Sequence, residues 1–596
     1  MRTNRLKNIP TLLILLVAGC LGACRHQEPE GQMLQIIFTG DVRGAILPYD
    51  FKRDTISNES LANISSFVND MREIFGPENI LVLDNGGNLT GRVVPYYSNY
   101  VDSVNEPLYY RAERLIGYDA IGIGNHDMDV KECLNPTRIS PDYQRPVVCA
   151  NLLDSRTREP YFEPYLVFER GGLKVAVLGM ASPGVSAWLP KQLWKNVHMQ
   201  DMVECAEKWV PYIQEHEHPD ILIGLFSCGR DYTDGDLTMD SYKNPNAGLI
   251  VARHVPGFDL VILGKDKDPQ SFDMRNEAGQ FVRIINVGER AKNVGSAIIH
   301  VTRQKDGSLH KRILTNLSRS SRSEVDPAFV EEFAQDFKKI HSWMNDTLGY
   351  LSDSLYPLDR FYTPSFYRAL IHKAQLWHTK ADISVTGIIT SADEIPAGPL
   401  TMRDLIDVDD HEAQIVKLRM TGDEIYRMLE YTYGQQIEQV NRPGDFLLSL
   451  RHDPYGHTVR NDAGQPYLRM PPSSFLSCAG IVYTVDVRKP AGQRVTIHSM
   501  HDGTPFDLRK SYTVAINSYH GSGGDGILTR GVGWNKETLD LHSLPSDPYN
   551  MREMLADYLQ KVDTFHCVLT GDFNLVPEDF VSVSLERAKT EPAPVW

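Results

Sequence analysis

The residues best suited to chemistry lie in one hexapeptide and at several stations on either side of it. Gly124-Asn125-His126-Asp127-Met128-Asp129 sets an imidazole three positions before a carboxylate and directly after an amide oxygen donor. A His–Asp pair of this kind can hold a ring proton against charge that develops on a reacting group. The other stations read Asp41-Val42-Arg43, Asp84-Asn85-Gly86-Gly87, Ser227 and Lys265-Asp266-Lys267. They mix oxygen donors with cations. Carboxylates and imidazoles hold a pair of divalent ions, whereas guanidinium and ammonium groups repel it. Arg43, Lys265 and Lys267 suit a different task, gripping a phosphate by charge-assisted hydrogen bonds. They would equally serve by pairing with Asp41, Asp266 or Asp268. Asp84, Asp266 and Asp268 would make at most a single weak oxygen site of the Mg2+ or Ca2+ type.

These stations need elements to position them. Short apolar runs at Leu34–Phe38, Ile80–Leu83, Ala120–Ile123, Val175–Leu178, Ile221–Leu225 and Leu260–Leu263 alternate with helical stretches. Their continuous hydrophobicity predicts strands buried on both faces. Each run ends in a polar or Gly-containing turn. Asp41, Asp84, Asn125-His126, Ser227 and Lys265 are therefore predicted along the carboxyl-end rim of an α/β sheet, where ligands collect.

Asp326 is suited to cap a helix and Pro327 to its first position. Phe329, Phe333, Phe337, Ile340 and Met344 then give one apolar face, and the helix reads as a connector between two domains. Further on, Thr421-Gly422-Asp423-Glu424 has the form of a capping box opening Ile425–Tyr431. Strands are predicted at Gly480–Val487 and Tyr512–Asn517, and Gly521–Gly526 is a glycine-rich loop.

A chain of 596 residues exceeds one ordinary core and predicts at least two domains. Its net charge of -16 argues against nucleic acid as the main partner. Arg2, Arg5 and Lys7 precede the apolar run Thr11–Leu21, which is the pattern of a secretory signal. Val17-Ala18-Gly19-Cys20 resembles a bacterial lipobox, with Cys20 as the lipid-attachment site; Leu21-Gly22-Ala23-Cys24 fits as well. Residues 1–24 are thus read as a signal peptide with a lipobox, and 25–33 as a polar tether. The other cysteines, Cys133, Cys149, Cys205, Cys228, Cys478 and Cys567, lack zinc-cluster spacing. An oxidising compartment would permit one or two disulfides, while Cys228 and Cys478 sit in apolar contexts that suit buried thiols.

Many ordered segments carry a resemblance. In the first half they are Thr39-Gly40-Asp41, Leu83–Gly87, Gly124–Asp129, Ala150-Asn151-Leu152 and Val177–Pro183. In the second they are Ile395–Leu400, Met420–Glu430, Phe475–Gly480, Pro490–Val495 and Asn517–Gly526. On these the chain resembles the periplasmic and cell-surface 5'-nucleotidases from Leu34 to about Val562. The resemblance implies an α/β fold: a four-layer αββα metallophosphatase domain over 34–322, a linker helix over 323–350, and an α/β 5'-nucleotidase C-terminal domain over 351–596. It assigns residual metal ligands to Asp41 and Asn125. The family's other ligands match Arg43, Gly87, Ser227, Lys265 and Lys267, so the bridging carboxylate and all four imidazoles are replaced. Arg43, Lys265 and Lys267 would then stand where the metals stood, as phosphate-binding cations.

The same resemblance gives His126 and Asp129 the catalytic pair's roles, or else the role of hydrogen-bonded packing in a tight loop. It assigns nucleobase stacking to Phe475 and Tyr519 and ribose contact to Asp525. The family's substrate-binding Arg is missing from Thr386–Ser391. Asp409-Asp410-His411-Glu412 replaces a family turn with groups that repel phosphate. Three readings follow, of which the last in order is a purely structural surface subunit working beside an active paralogue. One is an exported cell-envelope lipoprotein, periplasm-facing or on the outer membrane surface, catalytically degenerate and binding a nucleotide, nucleoside, phosphate or envelope protein without a cofactor. The alternative is an active phosphoester hydrolase of nucleotide catabolism with a rearranged or single-metal site using Mn, Zn or Mg.

Overall fold

The computed structural model describes residues 31–91, 93–134, 140–185, 189, 191–230, 242–357, 363–409, 414–453, 455–461, 463–535, 538–539, 549–569 and 572–590. The signal segment, Cys20, Cys24 and the Asp410-His411-Glu412 stretch lie outside the described residues. Among the described residues no helix is long and apolar enough to cross a membrane. The chain divides into two compact units, one of residues up to 186 with 193–340, the other of 187–192 with 341 onward.

The first unit is built on two sheets. In one, Gln32–Thr39 lies parallel to Ile80–Asp84, which is parallel to Ala120–Ile121. The hairpin Asn293–Arg303 and Leu309–Arg319 extends this sheet on the other side of Gln32–Thr39. In the second sheet, Leu173–Ala181, Ile221–Ser227, Leu260–Leu263 and Phe281–Asn286 run parallel. Antiparallel strands Tyr165–Arg170 and Gln270–Arg275 close its two edges.

Alternation along each strand sorts the layers. Val175, Val177, Ile221, Ile223 and Leu225 join Leu34, Ile36, Phe38, Leu81 and Leu83 in the core between the sheets. Ala176, Leu178, Met180, Leu222 and Phe226 face a second core with helices Met202–Glu217 and Gly248–His254. Helices Leu61–Phe75 and Leu108–Ile116 pack on the first sheet's side. The result is the αββα arrangement. Met202, Cys205, Ala206, Val210 and Ile213 show why Met202–Glu217 is a helix: they bury one face at helical spacing, and Asp201 caps it by accepting from the Val203 and Glu204 N–H groups.

Two elements differ from the sequence expectation. The third run forms a strand only over Ala120–Ile121: the Gly122 N–H makes the last ladder bond, to the Asp84 carbonyl, and the chain then leaves the sheet toward the hexapeptide. The helix after Asp326 is two helices, Pro327–Glu332 and Ala334–Met344, interrupted at Phe333 (φ -98°, ψ 9°). Asp326 caps the first as expected, and Phe329, Phe333, Ile340 and Met344 are buried.

The second unit has a five-stranded sheet ordered Ser477–Ala479, Ile383–Thr386, Ser511–Asn517, Gln414–Thr421 and Tyr549–Asn550. Helix Phe366–Thr379 packs on Ile383–Thr386 and on helix Met551–Val562. The capping box at Thr421 and Glu424 forms with both reciprocal bonds and opens helix Gly422–Gln436. All six cysteines of the described residues are free; five are buried, Cys228 and Cys478 among them.

Candidate functional site

In the first unit the carboxyl ends of the parallel strands bring Asp41, Asp84, Asn125, Ser227 and Lys265 to one rim. Asp127 organises two of the loops there. Its Oδ1 accepts the N–H groups of Asn88 (2.7 Å) and Leu89 (2.8 Å), and its Oδ2 accepts those of Gly87 (2.7 Å) and Gly124 (2.8 Å). Four charge-assisted bonds from one buried carboxylate fix these loops in register. Asp84 faces away into a network of its own, accepting from the Thr39 hydroxyl, the Gly86 N–H and the Asn88 amide. Burial pushes its carboxyl up to about 6, against the pull of those donors.

The rim residues hold left-handed backbone: Asp41, Arg43 and Lys265 have φ of 47°, 46° and 64°. Such conformations cost about 1–2 kcal/mol each outside glycine. Asp41 Oδ2 accepts the Lys265 N–H at 2.6 Å, and its Oδ1 lies 3.5 Å from Arg43 Nε. Burial raises the Asp41 carboxyl above its ordinary value, opposed by the Arg43 charge and the Lys265 N–H. Arg43 Nη1 approaches Glu289 at 3.8 Å. Lys265 Nζ donates to Asn246 Oδ1 at 2.9 Å, and Lys267 is exposed. Arg43 therefore lies beside Asp41 and Lys265 reaches Asn246, while Lys267 stands outward.

His126 Nδ1 is 2.9 Å from Asp129 Oδ2, and the ring is half-exposed. Desolvation works to lower its pKa, but the Asp129 hydrogen bond and charge hold the imidazole above its ordinary value. This pair is preformed, and it can hold a proton beside the rim. Asn125 precedes it, half-buried.

The residues present do not fit a two-metal centre. At Gly87 (φ 81°) an added β-carbon would lie 2.5 Å from Asp41 Oδ1, so the Asp41 carboxylate already fills the space a side chain there would need. That carboxylate is engaged by an N–H and lies beside a guanidinium, and the next station carries a second cation. Asp266, weighed as part of a replacement oxygen site, accepts from Arg230 Nε at 3.1 Å, while Asp268 is exposed. Among the described residues no three His, Cys, Asp or Glu side chains are grouped to hold a metal ion.

In the second unit, Asp525 sits at φ 55° in the glycine-rich loop. Its Oδ1 accepts the Tyr519 hydroxyl at 3.0 Å; its Oδ2 accepts the Ser474 hydroxyl and lies 3.1 Å from His520 Nε2. Burial works the other way, yet the His520, Ser474 and Tyr519 bonds hold the Asp525 carboxyl below its ordinary value. Tyr519 is 46% exposed, with its ring beside Gly524 and edge-on to His520 at 5.1 Å. Phe475 is only 2% exposed, edge-on to Tyr433 at 5.8 Å with the Arg368 guanidinium over its ring. The structure thus puts Tyr519 and Asp525 together and Phe475 in the core, where packing with Tyr433 is its evident role.

Sequence reasoning singled out neither Asp127 as an organiser nor Asn246 and Glu289 as partners of the rim cations. Only the repeated Asp within Gly124–Asp129 hinted at the first.

Residues 361–530 match the family model for the 5'-nucleotidase C-terminal domain. The chain is similar to the 2',3'-cyclic-nucleotide 2'-phosphodiesterase/3'-nucleotidase of Haemophilus influenzae, 21% identical over 91% of this chain and 87% of that protein. Its fold is similar to that of a candidate 5'-nucleotidase of Staphylococcus aureus, with a TM-score of 0.68 and 18% identity over 91% of this chain and 99% of the other. The Thermus thermophilus 5'-nucleotidase precursor gives a TM-score of 0.55 and 20% identity, covering 92% of this chain and 100% of that one. Residues 361–530 thus carry a 5'-nucleotidase C-terminal domain, and over most of its length the chain is related to nucleotide phosphoester hydrolases.

Proposed function

We propose that this member of the 5'-nucleotidase family is a catalytically degenerate homologue that binds a ligand or partner and does not hydrolyse phosphoesters. The observation that carries the reading is the Asp41 carboxylate, which is turned onto the Lys265 N–H and the Arg43 guanidinium and occupies the space beside Gly87. A divalent pair lowers the pKa of a bound water from about 15.7 to near 7, and without it that water is a poor nucleophile. A nucleoside, nucleotide or phosphate is the ligand class the family relationship suggests. In the second unit the exposed Tyr519 ring beside Asp525 supports a nucleoside-sized ligand. The cations Arg43, Lys265 and Lys267 would add a phosphate contact only by releasing their present partners or reaching in from solvent. The N-terminal signal and lipobox support an exported, envelope-anchored protein attached through Cys20.

A second reading, a working phosphoesterase, is favoured by one observation: the His126–Asp129 pair is in hydrogen-bonded register. Elemental analysis after dialysis against Mn2+ and Zn2+, with phosphate release from AMP, UDP-glucose and bis-p-nitrophenyl phosphate, separates the two. The degenerate reading expects neither stoichiometric metal nor turnover. One or two metals per chain, with turnover lost in His126→Ala, would overturn it.

A further inference from the structure

Three arginines of the described residues are buried, and they are satisfied unequally. Arg494 donates to the carbonyls of Lys489 and Tyr433, both at 2.9 Å, and to that of Ile437. Arg552 donates twice to the Asp409 carbonyl, at 3.0 and 2.7 Å. Arg368, 2% exposed, donates only through Nη2 to the Phe475 carbonyl at 2.8 Å; its guanidinium lies over the Phe475 and Phe573 rings at 5.6 and 6.0 Å, and its Nε and Nη1 are buried without a hydrogen-bond partner. Burial lowers its pKa to about 10, so the guanidinium stays charged at neutral pH. The acidic groups that act on it are the phenols of Tyr433, Tyr483 and Tyr367, which are neutral there. A buried charge left without a counter-charge is strongly destabilising.

A small cavity adjoins this side chain. Its wall carries Ser365, Arg368, Ala369, His372, Ser477 and Asp572. Four of these belong to the cap and first turns of helix Phe366–Thr379, where Ser365 caps the helix by accepting the Arg368 N–H at 3.3 Å and no acidic residue stands in the first turn. His372 has both ring nitrogens engaged, with Ser384 at 2.9 Å and Ser477 at 3.1 Å, and burial lowers its pKa to about 3, so it is neutral. Asp572, the one carboxylate on the wall, is held by His501 Nδ1 at 2.7 Å. The free volume is about 10 Å3. That is the lower limit for one water-sized particle, so a monatomic anion would enter only as the side chains around Arg368 give by a few tenths of an ångström, and phosphate or sulfate is excluded.

We propose that the unpartnered donors of Arg368, beside the cavity at the start of helix Phe366–Thr379, form a site for a single monatomic anion of the chloride class. The anion supplies the counter-charge the sequence leaves out and ties the helix to the strand segment at Phe475–Ser477. The site lies wholly within the second unit, so it stands or falls independently of any metal chemistry.

The test is thermal unfolding of the whole protein as sodium chloride replaces sodium gluconate at constant ionic strength. At a hundredfold excess over Kd, saturable chloride binding raises the melting temperature of the transition by roughly 5–10 °C. Bromide reproduces the rise, and Arg368→Met abolishes it. Equal melting in chloride and gluconate would overturn the proposal. Should Arg368→Met fail to fold, crystals of the unaltered protein soaked in bromide decide: an anomalous peak beside the guanidinium upholds the site, and none refutes it.

Discussion

Asp41 in its present pose leaves no room for a side chain on Gly87: a β-carbon there would meet Asp41 Oδ1 at 2.5 Å. The bare backbone at Gly87 and the present pose of Asp41 are therefore coupled: a side chain placed at Gly87 would displace the Asp41 carboxylate from the Lys265 N–H and Arg43 that hold it.

Gly87→Asp should accordingly fail to restore metal binding and should destabilise the first unit. The left-handed backbone and the overlap with Asp41 together cost about 2–4 kcal/mol. Denaturant unfolding and Mn2+ titration of the variant check this; a stable variant that takes up metal would contradict it.

Asp127→Asn should be costly although it is nearly isosteric. One of the two oxygens, each accepting two N–H groups, becomes a donor facing donors. A loss of about 2–4 kcal/mol is expected. Faster amide exchange at Gly87, Asn88, Leu89 and Gly124 would locate the damage.

Asp84 gives a pH dependence of defined sign. Its folded pKa, about 6, lies above its ordinary 3.8, so the folded state binds this proton more tightly than the unfolded state does. Its contribution is fully present below the lower value and is lost as pH rises through the upper one. The change is on the order of 1 kcal/mol between pH 5 and pH 7. Asp84→Asn should remove that component, seen by comparing unfolding of the two proteins at both pH values.

Tyr519 and Phe475 should behave oppositely. Phe475→Ala opens a core cavity and costs about 3–5 kcal/mol. Tyr519→Ala should leave melting nearly unchanged and weaken adenosine binding by about 1–3 kcal/mol, the worth of one stacked base. Calorimetric titration with adenosine tests it; undiminished affinity in Tyr519→Ala would remove the ring from the ligand site.

The sheets were legible because each apolar run is short, unbroken and closed by a turn; Ile221–Leu225 and Leu260–Leu263 needed no further information. The rim was legible for the same reason, since Ser227 ends its strand and Asp41 and Lys265 fall just past theirs. What escaped is long-range. Nothing near Asp127 announces that its donors include residues 87–89. The periodic apolar positions around Phe333 predict one helix equally well whether or not the backbone breaks there. Arg368 reads as an ordinary polar residue of an amphipathic helix, and only its enclosure by Phe475 and Tyr433 makes it a buried charge.

The Asp127 clamp has an evolutionary consequence. It grips the Gly87 and Gly124 loops through their backbone N–H groups, so this clamp does not itself depend on the side chains at Arg43, Ser227 or Lys267. Residues such as Arg43, Ser227 or Lys267 can be exchanged one at a time while the scaffold around them is inherited unchanged. A lineage built this way can abandon one chemistry and explore another without passing through an unfolded ancestor.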